Sequence, residues 1–311
     1  MQLVAAAPGV RASYSRIYGL TVRSEFPVAD WPPAEPAPAD VEVRRARLTV
    51  PELAGEPHAA RWDYQGGALQ VAVQGVGRYS ASGSLILVDA IADAKPEDVE
   101  LYLTGAMFGA LLHQRGLFPL HAAAVDLAGT AVAIAGPSGA GKSTLTATLV
   151  EGGATFLTDD SSVLEFSDGV SLWPGPSRLK LDHRSIGLLP DRPGALAPAG
   201  GTRGKFHRPV SSAAPSSRPV RLGRVYLLTD GSGPPRAERV VGLEAVAAIA
   251  DQAHFLAFAV TMGLNQQVFQ LAARAVNHVE VFRLIRPRGL EHLPAIVAAI
   301  RSGANQPTSA R

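Results

Sequence analysis

The chain has 311 residues, a formal net charge of +2, 47% hydrophobic and 18% charged residues, and no cysteine. That is enough chain for one large or two small folded domains. The missing thiols exclude disulfides, thiolate zinc sites and cysteine nucleophiles. The near-neutral balance gives no ground for a nucleic-acid or membrane partner.

In chain order, residues 1–10 have no basic leader and are broken by Pro8, a poor signal peptide. No apolar run reaches spanning length, so a soluble, cytoplasmic protein is expected. Period-two character over Tyr14–Val22 and Val41–Val50, joined by the Pro/Ala-rich stretch 32–38, predicts strands. Four more are expected at Ala59–Tyr64, Ala68–Val73, Gly77–Ser82 and Ser84–Val88. An amphipathic helix opens at Pro96-Glu97-Asp98 and runs to Leu112. Residues 1–117 therefore read as a β-rich N-terminal region ending in a helix.

The densest segment follows. His121–Leu127 and Ala131–Ala135 predict a strand pair. Then comes Gly136-Pro137-Ser138-Gly139-Ala140-Gly141-Lys142-Ser143-Thr144, a complete G-x-x-x-x-G-K-[ST] phosphate loop. Its glycines let backbone N–H groups close on phosphate oxygens, Lys142 brings a charge to the β/γ-phosphates, and the Ser143 hydroxyl suits Mg²⁺. Ser143–Val150 predicts the helix whose N-terminus faces the anion, and Gly152-Gly153 stop it. Thr155–Thr158 predicts a short strand ending in Asp159-Asp160. Adjacent carboxylates at a strand end point different ways, which suits one metal ligand and one general base. Asp159 is taken as the base and Asp160 as the Mg²⁺ ligand beside Ser143, with the reverse assignment as the alternative.

Strands are expected at Ser162–Phe166 and Val170–Trp173. Pro190–Pro219 is rich in Pro, Gly and Ser and predicts a flexible loop, a lid or disordered segment. Strands at Arg224–Thr229 and Arg236–Val241, helices at Gly242–Ala257 and Asn265–Asn277, a strand at Glu280–Ile285 and a helix at Leu290–Arg301 complete the domain 118–303, leaving 304–311 as a tail. The chain has four lysines against 25 arginines, so a lysine marks a place where an ammonium is wanted. Lys180, and Lys205 with Arg203 and Arg208, are candidates for phosphate or acceptor contact.

His121 lies fifteen residues before Gly136, and Asp159 twenty-three after it. With the loop and Gly152-Gly153, these spacings resemble the catalytic core of the HPr serine kinase/phosphorylase family. The segments 18–27, 173–181 and 281–288 resemble a shorter branch of HPr-kinase-like proteins, some of which phosphorylate the C-terminal serine of lasso-peptide precursors. The resemblance implies an α/β fold with a phosphate-loop kinase core of the HPr kinase/phosphoenolpyruvate carboxykinase type. It also implies ATP and Mg²⁺ as cofactors, a catalytic role for His121, Asp159 and Lys142, and a serine hydroxyl of a peptide or small protein as acceptor. A homo-oligomer is compatible with it. His121 is followed by Ala122 where that family has glycine, no Arg-Gly-Leu-Gly segment follows the Asp pair, and the N-terminal region is unlike the regulatory domain. The resemblance therefore implies phosphoryl transfer to a hydroxyl without implying HPr as acceptor. A small-molecule kinase and a non-catalytic nucleotide-binding accessory protein are the alternatives.

Overall fold

The computed structural model describes residues 2–3, 12–49, 57–186, 197–198, 204–210, 213 and 217–304. The chain is a mixed α/β protein that divides into two compact units.

The first unit takes in residues up to Leu117 together with Phe255–Gln266. Its strands are β1 (Gln2–Leu3), β2 (Ser13–Ile17), β3 (Leu20–Ser24), β4 (Val41–Arg47), β5 (Ala60–Gln65), β6 (Ala68–Val73), β7 (Gly77–Ser82) and β8 (Leu85–Ala90). They form one sheet in the order β2-β3-β4-β8-β7-β6-β5, with β1 on β4. The run expected as one strand over Tyr14–Val22 is a hairpin. It turns at Tyr18-Gly19, where both φ angles are positive (52° and 77°), the geometry that matches strand twist in a two-residue loop. The expected helix is α1 (Pro96–Leu101) and α2 (Phe108–Gln114) joined by a π-helical stretch, Tyr102–Met107. Short α6 (Leu256–Thr261) also belongs here. Phe258 stacks on Phe255 and meets Trp62 edge-on at 5.2 Å.

The second unit holds Phe118–Pro198, Gly204–His254 and Gln267 onward. In chain order it contains β9 (Phe118–Leu120), β10 (Ala122–Leu127), β11 (Thr130–Ala135), α3 (Lys142–Glu151), β12 (Thr155–Thr158), β13 (Ser162–Glu165), β14 (Ser171–Trp173), β15 (Arg178–Asp182), α4 (His183–Ile186), β16 (Ala197–Pro198) and β17 (Lys205–Pro209). These are followed by β18 (Val220–Asp230), β19 (Arg236–Val240), α5 (Gly242–Ala250), α7 (Asn265–Val276), which begins in the first unit, β20 (Glu280–Arg286) and α8 (Leu293–Ala304). β18 is the hub of the sheet: it runs parallel to β11 and to β20, while β10 and β12 extend the sheet beyond β11.

Helix α3 is covered on two sides. Leu145 and Leu149 join Val132, Ile134, Tyr226, Leu284 and the α8 residues Ile296 and Ile300 in one cluster. Ala147 packs with Phe156, Leu179 and Leu181 in another. Burial on both sides explains why its sequence shows no single apolar stripe. Arg301 of α8 donates to Gly152 O at 2.7 Å, a cation on the carbonyl end of α3.

Two further expectations are corrected. The segment 190–219 contains strand β17, paired antiparallel with β15 from Arg178↔Pro209 to Asp182↔Lys205; 187–196, 199–203, 211–212 and 214–216 lie outside the described residues. The helix expected over Gly242–Ala257 stops at Ala250 and restarts at Leu256, with Phe255 left-handed at φ 56°. The tail 305–311 also lies outside the described residues.

Candidate active site

The phosphate loop leaves β11 at Gly136, the edge of the core. Gly136 has φ 148°, a conformation that favours glycine, and a Cβ there would press within 3.3 Å of Leu228 on β18. Pro137, Ser138, Gly139 and Gly141 are exposed, and Ala140 is buried. Gly141, at φ 89°, precedes α3. The first amides of a helix have no intrahelical acceptor, so this end of α3 offers N–H groups and a positive dipole to an anion. Thr144 Oγ1 lies 2.8 Å from Ser185 Oγ on α4.

Lys142 is only 7% exposed. Its Nζ donates to Gly136 O at 2.8 Å, to Pro137 O at 3.3 Å and to His121 Nε2 at 2.8 Å. An ammonium accepts nothing, so Nε2 is the acceptor and the neutral ring carries its proton on Nδ1, which lies 3.8 Å from Asp160 Oδ1. Burial lowers the Lys142 pKa, with the Asp160 and Asp159 carboxylates working against that shift. His121 is lowered too, by burial first and then by Lys142, and is held neutral. It sits in the bend between β9 and β10 rather than on a strand.

β12 delivers the carboxylates. Asp159 Oδ1 accepts from Ser143 Oγ at 2.9 Å and Oδ2 from the Lys180 N–H at 2.8 Å. Burial, then the neighbouring Asp160, pushes its pKa up to about 6. The chain turns back at once, with Ser161 N–H donating to Asp159 O at 2.9 Å and Asp160 at φ 71°. Such a non-glycine conformation is costly and collects at functional sites. Burial works to raise Asp160, but its electrostatic interactions with His254 and Lys180, and then with His121 and Lys142, outweigh it and hold the carboxyl below its ordinary range. Half of that side chain is open to solvent (49%), so the neighbouring cations rather than burial set its state.

The antiparallel β15–β17 pair brings the other cations. Strand alternation puts Arg178, Lys180 and Asp182 on one face with their partners Pro209, His207 and Lys205, and Leu179 and Leu181 on the other, against α3. Lys180 is lowered by burial, with Asp160 opposing; Lys205 is close enough to depress both Lys142 and Lys180. His207 falls to about 4 through burial and then Arg178. Arg208 is the partner of Leu179 and takes the face away from Lys180. Arg203 lies outside the described residues.

Sequence reasoning missed two residues. His254 is brought in by backbone bonds: its N–H donates to Pro119 O, and the His121 N–H donates to Gln252 O, both at 2.7 Å. Its ring meets His121 edge-on, centroids 4.7 Å apart, and donor atoms of His121, Asp160 and His254 lie within 4.8 Å of one another. Two imidazoles and a carboxylate suit a transition metal, whereas the Ser143 hydroxyl and the carboxylates of the Asp159-Asp160 pair are hard oxygen donors of the kind Mg²⁺ takes. Arg286 ends β20 and donates from Nη2 to Ala140 O inside the loop. Neither residue has a local signal, because contacts made across long sequence separations place both.

No family model matches the chain, and no curated protein does. Among solved structures, the Hpr(Ser) kinase/phosphatase from Coxiella burnetii is similar at a TM-score of 0.34 and 12% identity, over 60% of this chain and 90% of that one. The likeness is remote. Among the described residues no helix is long and apolar enough to cross a membrane.

Proposed function

We propose that the protein is an ATP- and Mg²⁺-dependent phosphotransferase that moves the γ-phosphoryl group to a serine hydroxyl of a peptide or small protein. The observation that carries this reading is the 2.9 Å hydrogen bond from Ser143 of the phosphate loop to Asp159. It supports the reading because phosphoryl transfer needs a carboxylate beside the hydroxyl that follows the loop lysine.

In this reading the amides that open α3 and the Lys142 ammonium hold the β/γ-phosphates. Ser143 and the neighbouring Asp160 carboxylate would hold Mg²⁺, which supplies charge neutralisation to the phosphate chain when bound. Asp159, with its pKa near 6, takes the proton of the acceptor hydroxyl as the new O–P bond forms and the bond to the ADP oxygen breaks. A base poised close to neutrality suits that task. Lys180 and Lys205 face the same space and offset charge on the transferred group. His121 keeps Lys142 aligned.

The test is transfer from γ-labelled ATP to a peptide ending in serine. Asp159→Asn is expected to retain ATP binding and to lower transfer by at least about a hundredfold. Asp160→Asn is expected to raise the Mg²⁺ concentration needed. Unchanged turnover in Asp159→Asn removes the base assignment, and label appearing only on a metabolite replaces the peptide acceptor. Lys142→Ala is expected to weaken ATP binding about tenfold or more, read by equilibrium titration.

A further inference from the structure

Arg286 is 7% exposed, at the end of a strand that the proposed chemistry does not use. One nitrogen, Nη2, reaches the Ala140 carbonyl. The other, Nη1, lies 3.7 Å from Asp230 Oδ1, and Asp230 is the register partner of Arg286 on β18. Asp230 is held in turn by Arg288, whose Nε donates to Oδ2 at 2.7 Å. A buried guanidinium is thus anchored to the sheet and committed to one carbonyl of the phosphate loop.

The consequence follows from peptide geometry. A trans peptide is planar and its C=O and N–H point in opposite directions, and no cis bond occurs among the described residues. A carbonyl held by Arg286 therefore turns the Gly141 N–H the other way. Gly141 has no Cβ and sits at φ 89°, so local sterics do little to stop this peptide from flipping. A flip would present a carbonyl, not an amide, to an anion.

We propose that Arg286 is a positioning residue of the phosphate loop: by gripping the Ala140 carbonyl it aims the Gly141 amide at the bound phosphate chain. This rests on reading Gly136–Thr144 as a nucleoside-phosphate site.

The test uses the full-length chain with ADP and with inorganic pyrophosphate as probes. Removing one charge-assisted contact by Arg286→Met is expected to weaken both probes roughly tenfold. Arg286→Lys is expected to recover part of the loss, and Asp230→Asn to cost less than Arg286→Met. Arg288→Met, at an exposed pair, is expected to change affinity less than about twofold. The Gly141 amide resonance reads the orientation directly. It is expected to move strongly on pyrophosphate saturation in the parent and weakly in Arg286→Met, with thermal melting showing both chains folded. If Arg286→Met does not fold, the same comparison is made with Arg286→Lys and Asp230→Asn. Equal affinity and an equal Gly141 shift in the folded variants overturn the proposal. So does a loss for ATP far larger than for ADP, which would put Arg286 on the γ-phosphate. Failure of the parent to bind either probe overturns the phosphate-site reading instead.

Discussion

Asp159 is the residue whose chemistry is most exposed to measurement. The folded state raises its pKa from 3.8 to about 6, so the native chain holds this proton more tightly than the unfolded one does. The group therefore favours folding most below pH 3.8, and that contribution is lost as pH rises towards 6. Asn can replace Asp here, since its oxygen accepts from the Lys180 N–H and the Ser143 hydroxyl can reverse to accept from its amide. Asp159→Asn is thus expected to be more stable than the parent by up to about 3 kcal/mol at pH 7 and nearly equal to it near pH 3.5. Denaturant titrations at the two values check this, and equal stability at pH 7 removes the burial argument. If Asp159 is the base, transfer by the parent rises as pH passes through about 6. The loop and this Asp pair were legible in the sequence because each answers a local demand, glycines for a tight anion nest and carboxylates at a strand end. His254 and Arg286 were not legible: one is a polar break in an apolar stretch, the other one arginine among 25.

At the level of elements, the buried strands around the loop were readable from their short continuous apolar runs, and the errors fall where distant pairing decides. β15 has the period-two pattern Arg178-Leu179-Lys180-Leu181-Asp182, but its partner β17 lies more than twenty residues on, inside a stretch whose composition reads as a loop. Phe118-Pro119-Leu120 contains a proline that argues against a strand, yet it pairs with β13 at Ser162↔Leu120 to Leu164↔Phe118. No glycine or proline announces the break at Phe255. The attachment of β15 to α3 rests on Leu179 and Leu181, which are 3% and 1% exposed. Leu181→Ala is expected to cost about 2–4 kcal/mol and to loosen the strand that carries Lys180, lowering the melting temperature and ATP affinity together. Full affinity with a lowered melting temperature would detach Lys180 from the nucleotide.

For the whole molecule, the sequence suggested a single division between residues 117 and 118, but the contacts place Phe255–Gln266 with the N-terminal unit. Phe258 and Met262 are buried there, at 7% and 6% exposed. Thr261 accepts from Trp62 Nε1 at 3.2 Å, and Gln114 Nε2 donates to Met262 Sδ at 3.3 Å. A methyl group on Gly109 would overlap the Phe255 ring, so glycine there lets α2 approach closely. A chain begun at residue 118 therefore carries a helix whose apolar partners have been removed. Its soluble yield is expected to be poor, and replacing Phe258 and Met262 by polar residues is expected to improve it; high solubility of the unaltered fragment would show that α6 needs no partner.

Lys142 has three N–H donors and three acceptors, two of them carbonyls of its own loop. The loop thereby occupies its cation with itself, and any anion must enter by exchange. An anion that reaches Lys142 competes with these contacts, and a di- or triphosphate chain, long enough to meet the loop amides as well, has more to offer than orthophosphate. If the loop is the nucleotide site, this arrangement is expected to favour polyphosphate over single phosphate, and competition between orthophosphate and pyrophosphate measures it.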